Sequence, residues 1–194
     1  MKLYYAPGAC SLADHIALHH AGLSFEHEKV DLEAKKTESG QDFTAINPKG
    51  YVPALTLDSG ETLSENIAIL DWIAHQDTAL KPAGAMGHTH LLEALAFIST
   101  EIHKGFKPFF AGGSDEEKAK AGEMIVKRMT YLAGTMKGDY LFGDQPSVAD
   151  FYLFVMLLWA RKFGIDAPAP LPAFRDRVMA LPAAQKAMTH EGLI

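Results

Sequence analysis

The sequence predicts two units in series, a small α/β unit over about the first 75 residues and an all-helical one after it. Three observations carry this expectation. Short strand-like and helix-like pieces alternate as far as Gln76. A hairpin signature, Asp58-Ser59-Gly60 between Ala54-Leu55-Thr56-Leu57 and Glu61-Thr62-Leu63, lies inside that stretch. Beyond an Ala-, Pro- and Gly-rich run, every periodic segment reads helical. The expected division is 1–77 for the α/β domain, 78–87 for a linker and 88–194 for the helical domain.

The elements follow from local chemistry. Lys2 to Tyr5 reads as a strand stopped by Pro7-Gly8. Ser11 to Ala21 reads as a helix, with Leu12, Ile16, His19 and Leu23 at helical spacing and Gly22 at its exit. Phe25 to Val30 is a second strand, and Asp31 to Ala45 is polar with room for a short helix. After the hairpin, Ser64-Glu65-Asn66 opens a helix whose Ile67, Leu70, Ile73 and Ala74 form an apolar face. The later helices are expected over His90–Phe110, Asp115–Met136, Val148–Phe163, Ala173–Leu181 and Ala183–His190. Pro172 and Pro182 sit where first-turn prolines belong.

Bulk properties exclude several classes of function. The chain has 194 residues, one cysteine and a formal net charge of −6. One cysteine cannot form an intramolecular disulfide, so a bridge-stapled secreted scaffold is ruled out. An acidic chain without a basic run is a poor partner for nucleic acid or anionic membrane. The N-terminal apolar stretch breaks at once on Pro7-Gly8, unlike a signal peptide, and no window approaches a membrane span. A cytoplasmic protein is the expectation.

Five segments carry chemistry. Pro7-Gly8-Ala9-Cys10-Ser11 puts the thiol at a strand-to-helix turn, where outward-pointing N–H groups favour an anion and give a cysteine thiolate character. The plain alternative is a small buried hydrophobe. Asn47-Pro48-Lys49-Gly50-Tyr51-Val52-Pro53 enters a strand through Pro53. A cis Val52–Pro53 bond would expose the Val52 backbone to an extended ligand. Ser64-Glu65-Asn66 reads as a Ser-capped helix start; Glu65 offers a carboxylate for a ligand amine, and the helix N-terminus takes a ligand carboxylate. Thr100, His103, Lys104 and Lys107 share one helix face, either a solvated stripe or a wall of an acidic-ligand site. Ser147-Val148-Ala149-Asp150 is a capping box with Asp in place of Glu. His15 and His19 have metal-ligand spacing but no third ligand nearby in sequence, so no metal is expected.

In this order and spacing the segments resemble the glutathione transferase family, specifically its bacterial beta class, over essentially the whole chain. The carriers are Tyr5-x-Pro7-Gly8-Ala9-Cys10-Ser11-Leu12, Asn47-Pro48-Lys49-Gly50-x-Val52-Pro53-Ala54-Leu55, Glu65 before an apolar helix, Glu101-x-His103-Lys104-Gly105-Phe106 and Ser147-x-Ala149-Asp150. The resemblance implies a thioredoxin-like α/β N-terminal domain, an all-α C-terminal domain and a homodimer with a site at each domain cleft. It implies glutathione as co-substrate, no metal, and conjugation of glutathione to small hydrophobic electrophiles in detoxification. Thiol–disulfide or peroxide reduction through a Cys10–glutathione mixed disulfide is a second implied chemistry. Ala13 stands three residues after Cys10, so glutathione itself would resolve that disulfide.

Cys10, Ser11 and His103 are the implied catalytic residues. The implied glutathione-binding set is Ala9, Cys10, Lys35, Val52, Pro53, Glu65, Asn66, His103 and Lys104. Val52 would pair with the cysteinyl backbone and Glu65 with the γ-glutamyl end. Lys35 would reach the glycyl carboxylate, and His103 and Lys104 the sulfur side. Phe106, Phe109 and Phe110 would wall the electrophile pocket. Two positions depart from the family pattern: Asn66, where a smaller Ser or Gly is frequent, and Ala96, where an Asn often helps hold glutathione across the dimer. Asn66 can still donate hydrogen bonds, but Ala96 cannot replace an amide, so weaker glutathione binding is the expectation. Two alternatives stay open, a non-catalytic binding or regulatory module and a dehalogenase or isomerase on the same fold.

Overall fold

The computed structural model describes residues 1–194 and divides them into two units, 1–78 with 180–194 and 79–179. In the first unit a five-stranded mixed sheet has the order β3-β2-β1-β4-β5. The strands are β1 (Lys2–Tyr5), β2 (Glu26–Asp31), β3 (Lys36–Thr37), β4 (Ala54–Thr56) and β5 (Thr62–Ser64). β1 and β2 run parallel with Lys2 opposite Glu26, as a strand–helix–strand crossover requires. β4 returns antiparallel with Leu55 opposite Leu3, and β5 closes the expected hairpin.

Helices α1 (Ser11–His20) and α3 (Asn66–Gln76) bury Leu12, Ala13, Ile16, Ala17, Ile69, Leu70, Ile73 and Ala74 completely. A separate cluster of Tyr4, Val30, Phe43, Val52 and Ala54 forms under the short helix α2 (Phe43–Ile46), with Ala9 packed against it. That cluster matters for function because it holds Ala9 and Val52 in place from below.

The second unit contains α4 (Gly87–Phe97), α5 (Lys107–Phe110), α6 (Asp115–Thr135), α7 (Val148–Lys162) and α8 (Leu171–Met179). Its centre is α7, whose Phe151, Tyr152, Phe154 and Val155 are buried. Asp150, fully buried, starts that helix: its carboxylate accepts from Ser147 N–H at 2.7 Å, the Ser147 hydroxyl at 2.6 Å and Leu141 N–H at 2.8 Å. No helix is long and apolar enough to cross a membrane.

Two features differ from the sequence expectation. The final helix α9 (Pro182–His190) groups with the first unit, where it packs along α1, so 180–194 do not group with 88–179. The single helix expected over His90–Phe110 is broken: α4 ends at Phe97, a π-turn spans Ile98–Ile102 and a 3-10 turn spans His103–Phe106. A π-turn adds one residue to the helical repeat and rotates the residues after it about the helix axis. Thr100, His103, Lys104 and Lys107 therefore do not form one stripe, and Thr100 spends its hydroxyl on the Ala96 carbonyl at 2.9 Å.

Candidate functional site

In the first unit the segments singled out in the sequence converge on one place. After β1 the chain turns through Gly8, whose φ of +69° suits a residue without Cβ, and Ala9 N–H closes the turn on the Ala6 carbonyl at 3.0 Å. Cys10 is the N-cap residue of α1, partly buried, and its side chain does not cap the helix. Its thiol donates to the Val52 carbonyl oxygen at 3.8 Å. Val52 precedes Pro53 through a cis peptide bond, and Pro53 stands just before β4.

The expected thiolate character does not appear in the free chain. Burial, reinforced by the neighbouring Asp14 carboxyl, pushes the Cys10 thiol up to about 12, and the N–H groups of Cys10 and Ser11 offset this only partly. The helix start pulls in the anticipated direction and loses to desolvation. Ser11 is also turned inward: fully buried, it accepts from Ala6 N–H at 3.3 Å and its hydroxyl faces the Ala6 carbonyl at 3.5 Å. It ties the turn to α1.

The Val52 loop is fastened at several points. Asn47, buried, donates from its amide to the Tyr51 carbonyl at 2.7 Å and accepts from Lys49 N–H at 3.3 Å. Lys35, whose φ of 54° lies in the left-handed region, donates to the Gly50 carbonyl at 2.8 Å. The expected glycyl-carboxylate ligand is thus held against this loop.

At the start of α3 the structure revises the cap. Ser64 belongs to β5, and Glu65 is the N-cap residue with φ 75° and ψ 120°, an unfavourable backbone for a residue with a side chain. Its exposed carboxylate accepts from Lys49 Nζ and, at 2.6 Å, from the Tyr51 hydroxyl, which together hold it below the usual carboxylate range. Asn66, buried, reaches back with its amide to the Cys10 carbonyl at 3.1 Å and to Asp14 Oδ2 at 2.6 Å.

Asp14, Lys49, Tyr51 and Glu191 were not anticipated as neighbours of this site. Asp14 is completely buried, and desolvation holds its carboxyl well above the usual range. Its Oδ1 has no hydrogen-bond partner. The available signal was a lone acid four residues after Cys10 in an apolar helix. Glu191, just past α9, accepts from Gly8 N–H at 2.8 Å and pairs with His15 at 3.0 Å. No local sequence pattern announces a contact across so much chain.

The remaining implied site residues lie in the second unit. His103 sits in the 3-10 turn with its Nδ1 2.6 Å from the Tyr152 hydroxyl and its ring edge-on to Trp159. Burial, then the Lys104 ammonium, lowers it to about 4, so the imidazole is neutral at neutral pH. Lys104 is exposed. Of the three expected pocket phenylalanines, Phe106 is fully buried, whereas Phe110 is 52% exposed.

Comparison with known proteins finds relatives over the whole chain. Residues 9–76 match the family model for the glutathione S-transferase N-terminal domain and 96–182 that for its C-terminal domain. The chain is 39% identical to the glutathione S-transferase GstA of Escherichia coli O157:H7, with both chains covered completely. It is similar to the structure of a sphingomonad glutathione S-transferase complexed with glutathione, at 50% identity and a TM-score of 0.92, with both chains covered completely. A bacterial beta-class glutathione S-transferase of Sphingomonas chungbukensis is 46% identical, again with full coverage of both chains and a TM-score of 0.92.

Proposed function

The chain belongs to the glutathione S-transferase family, and from that premise we propose that it binds glutathione along the Val52 loop and conjugates it to small hydrophobic electrophiles. It is a transferase with glutathione as its co-substrate. The observation that carries the placement is the Val52 carbonyl oxygen facing the Cys10 thiol at 3.8 Å, with the start of α3 beside them through the Asn66–Cys10 contact. An extended cysteinyl backbone pairing with Val52 would put its own sulfur beside Cys10. The Glu65 carboxylate takes the γ-glutamyl amine, and the unpaired N–H groups opening α3 take its carboxylate. Ala9 and Pro53 shape the turn from either side, and Lys35 exchanges the Gly50 carbonyl for the glycyl carboxylate.

A glutathione thiol is mostly protonated at neutral pH, and a site that stabilises its thiolate speeds attack on an electrophile. The second chemistry runs through Cys10. Its sulfur, giving up its proton to solvent, attacks the glutathione sulfur of a mixed disulfide between glutathione and a substrate thiol, expelling that substrate as its thiolate and leaving Cys10 disulfide-bonded to glutathione. A free glutathione thiolate then attacks that Cys10–glutathione disulfide, releasing oxidised glutathione and the Cys10 thiolate, which regains a proton. The substrate is reduced by two electrons taken from two glutathione thiols. The protein works as a cytoplasmic homodimer in this reading, and sedimentation would measure the assembly.

The test is calorimetric titration with glutathione, turnover of an activated aryl halide, and intact mass after incubation with oxidised glutathione, on wild type and Cys10→Ala. Saturable binding and turnover support conjugation. An adduct of one glutathione on wild type alone supports the second chemistry. Absence of binding and turnover would return the chain to a non-catalytic module.

A further inference from the structure

Four imidazoles gather on the first unit, away from any role so far assigned. His15 and His19 come from α1, His27 from β2 and His190 from the last turn of α9. Along the chain His15 and His19 have no third ligand near them, but the fold supplies two. One ligand nitrogen each from His15, His27 and His190 lies within 4.8 Å of the others. His190 Nδ1 is 3.4 Å from His15 Nε2 and 3.4 Å from His19 Nε2.

From these distances we infer that His15, His27 and His190, with His19 as a fourth donor, form a site for a divalent transition-metal ion of imidazole preference, such as Zn²⁺. A tetrahedral ion with metal–nitrogen bonds of about 2.0–2.1 Å separates its ligand nitrogens by about 3.4 Å. Both short nitrogen–nitrogen contacts already have that length. His27 closes the remaining gap by side-chain rotation, since it and His190 are exposed and give an ion a path from solvent.

Proton counting supports the same site. An imidazole nitrogen has one in-plane position, holding either a hydrogen or a lone pair. His190 Nδ1 can therefore make a sound hydrogen bond to His15 or to His19, and the other 3.4 Å contact is left unmatched. An ion at the centre receives all the lone pairs at once.

The surroundings fit a metal site as well. His15 presents Nδ1 to the Glu191 carboxyl at 3.0 Å, which fixes the ring with Nε2 turned toward His190, so a carboxyl group backs this imidazole as it does many metal ligands. Burial, neighbouring imidazoles and the Lys186 ammonium lower His15 and His19 to about 3, leaving the neutral form that ligates. Lys186 is the cation opposing an ion here, and Glu38 is the acid acting on His27 from the sheet side.

The test titrates Zn²⁺ calorimetrically into the full chain after chelator treatment, with Co²⁺ as a spectroscopic probe. The expected result is one ion per chain with a Kd tighter than about 10 μM, and cobalt bands of tetrahedral intensity. His27→Ala and His190→Ala, both at exposed positions, should each weaken binding at least tenfold, while the control His90→Ala in the second unit leaves it unchanged. Metal-free melting curves of the variants verify their folding, and His27→Ala tests the site without touching the α1–α9 packing. Binding no tighter than about 1 mM, or binding equal in wild type, His27→Ala and His190→Ala, would overturn the inference.

Discussion

The Cys10 thiol donates to the Val52 carbonyl oxygen at 3.8 Å, so in the free chain the thiol occupies the backbone group that an extended ligand would use. A thiol pushed up to about 12 is disfavoured as thiolate by roughly 4 kcal/mol, several times the 0.3–1 kcal/mol of a helix terminus. Alkylation of Cys10 by iodoacetamide at pH 7.5 should therefore be at least tenfold slower than that of free cysteine, and still rising at pH 10. Intact mass against time and pH measures it, and a plateau near pH 8.5 would mean an ordinary thiol.

Glu65 is held at φ 75° while its carboxylate meets Lys49 and Tyr51. Glu65→Gly removes the steric penalty of that backbone and should raise stability by about 1 kcal/mol. In the proposed glutathione site the same change removes the carboxylate assigned to the γ-glutamyl amine, and the Kd for glutathione should rise at least tenfold. Urea unfolding and calorimetry on one preparation give both numbers; loss of stability together with unchanged affinity would refute the assignment.

Ser147 donates to a carboxylate that is wholly buried. Desolvation raises Asp150 to about 6 even with its donors in place. Folded Asp150 thus holds its proton more tightly than the unfolded chain, and its contribution to stability falls as pH rises from about 4 through about 6. Ser147→Ala removes one donor to the ionised form. It should cost about 1.5–3 kcal/mol at pH 7 and clearly less at pH 4, where the carboxyl is protonated. Melting at the two pH values compares them, and an equal loss at both would place the effect outside the carboxylate.

Ala96 is exposed on α4 and has no side-chain amide to offer. If glutathione is held partly by this position, Ala96→Asn should tighten its Kd by about fivefold to tenfold, the effect of about one hydrogen bond. Stability should hardly change at an exposed site. An unchanged Kd would show that position 96 does not reach glutathione in this protein.

Most of the first unit was legible because its signals are local. Pro7-Gly8, Asp58-Ser59-Gly60 and Val52-Pro53 each fix a turn through their own backbone chemistry, and each stands where expected. The candidate site's expected location came from the family resemblance that those segments carry. Its electrostatics did not, because the state of Cys10 depends on burial and on Asp14, and the Asn66 amide joins two elements. The π-turn at Ile98–Ile102 was invisible for a different reason: apolar periodicity cannot register one added residue in a short helix. The histidine cluster lay beyond reach because His27 and His190 come together only through sheet pairing and the packing of α9.

The position of α9 sets a schedule for synthesis. The sheet of the first unit is complete once β5 has formed, yet Gly8 N–H and His15 wait for Glu191. At about 5–20 residues per second, translation of residues 79–179 occupies the ribosome for roughly 5–20 s. During that interval the nascent sheet has an uncovered α1 flank, and the second unit is made in full before the first can be finished. A chain cut short anywhere in that stretch lacks α9 and keeps uncovered the side of α1 along which that helix packs.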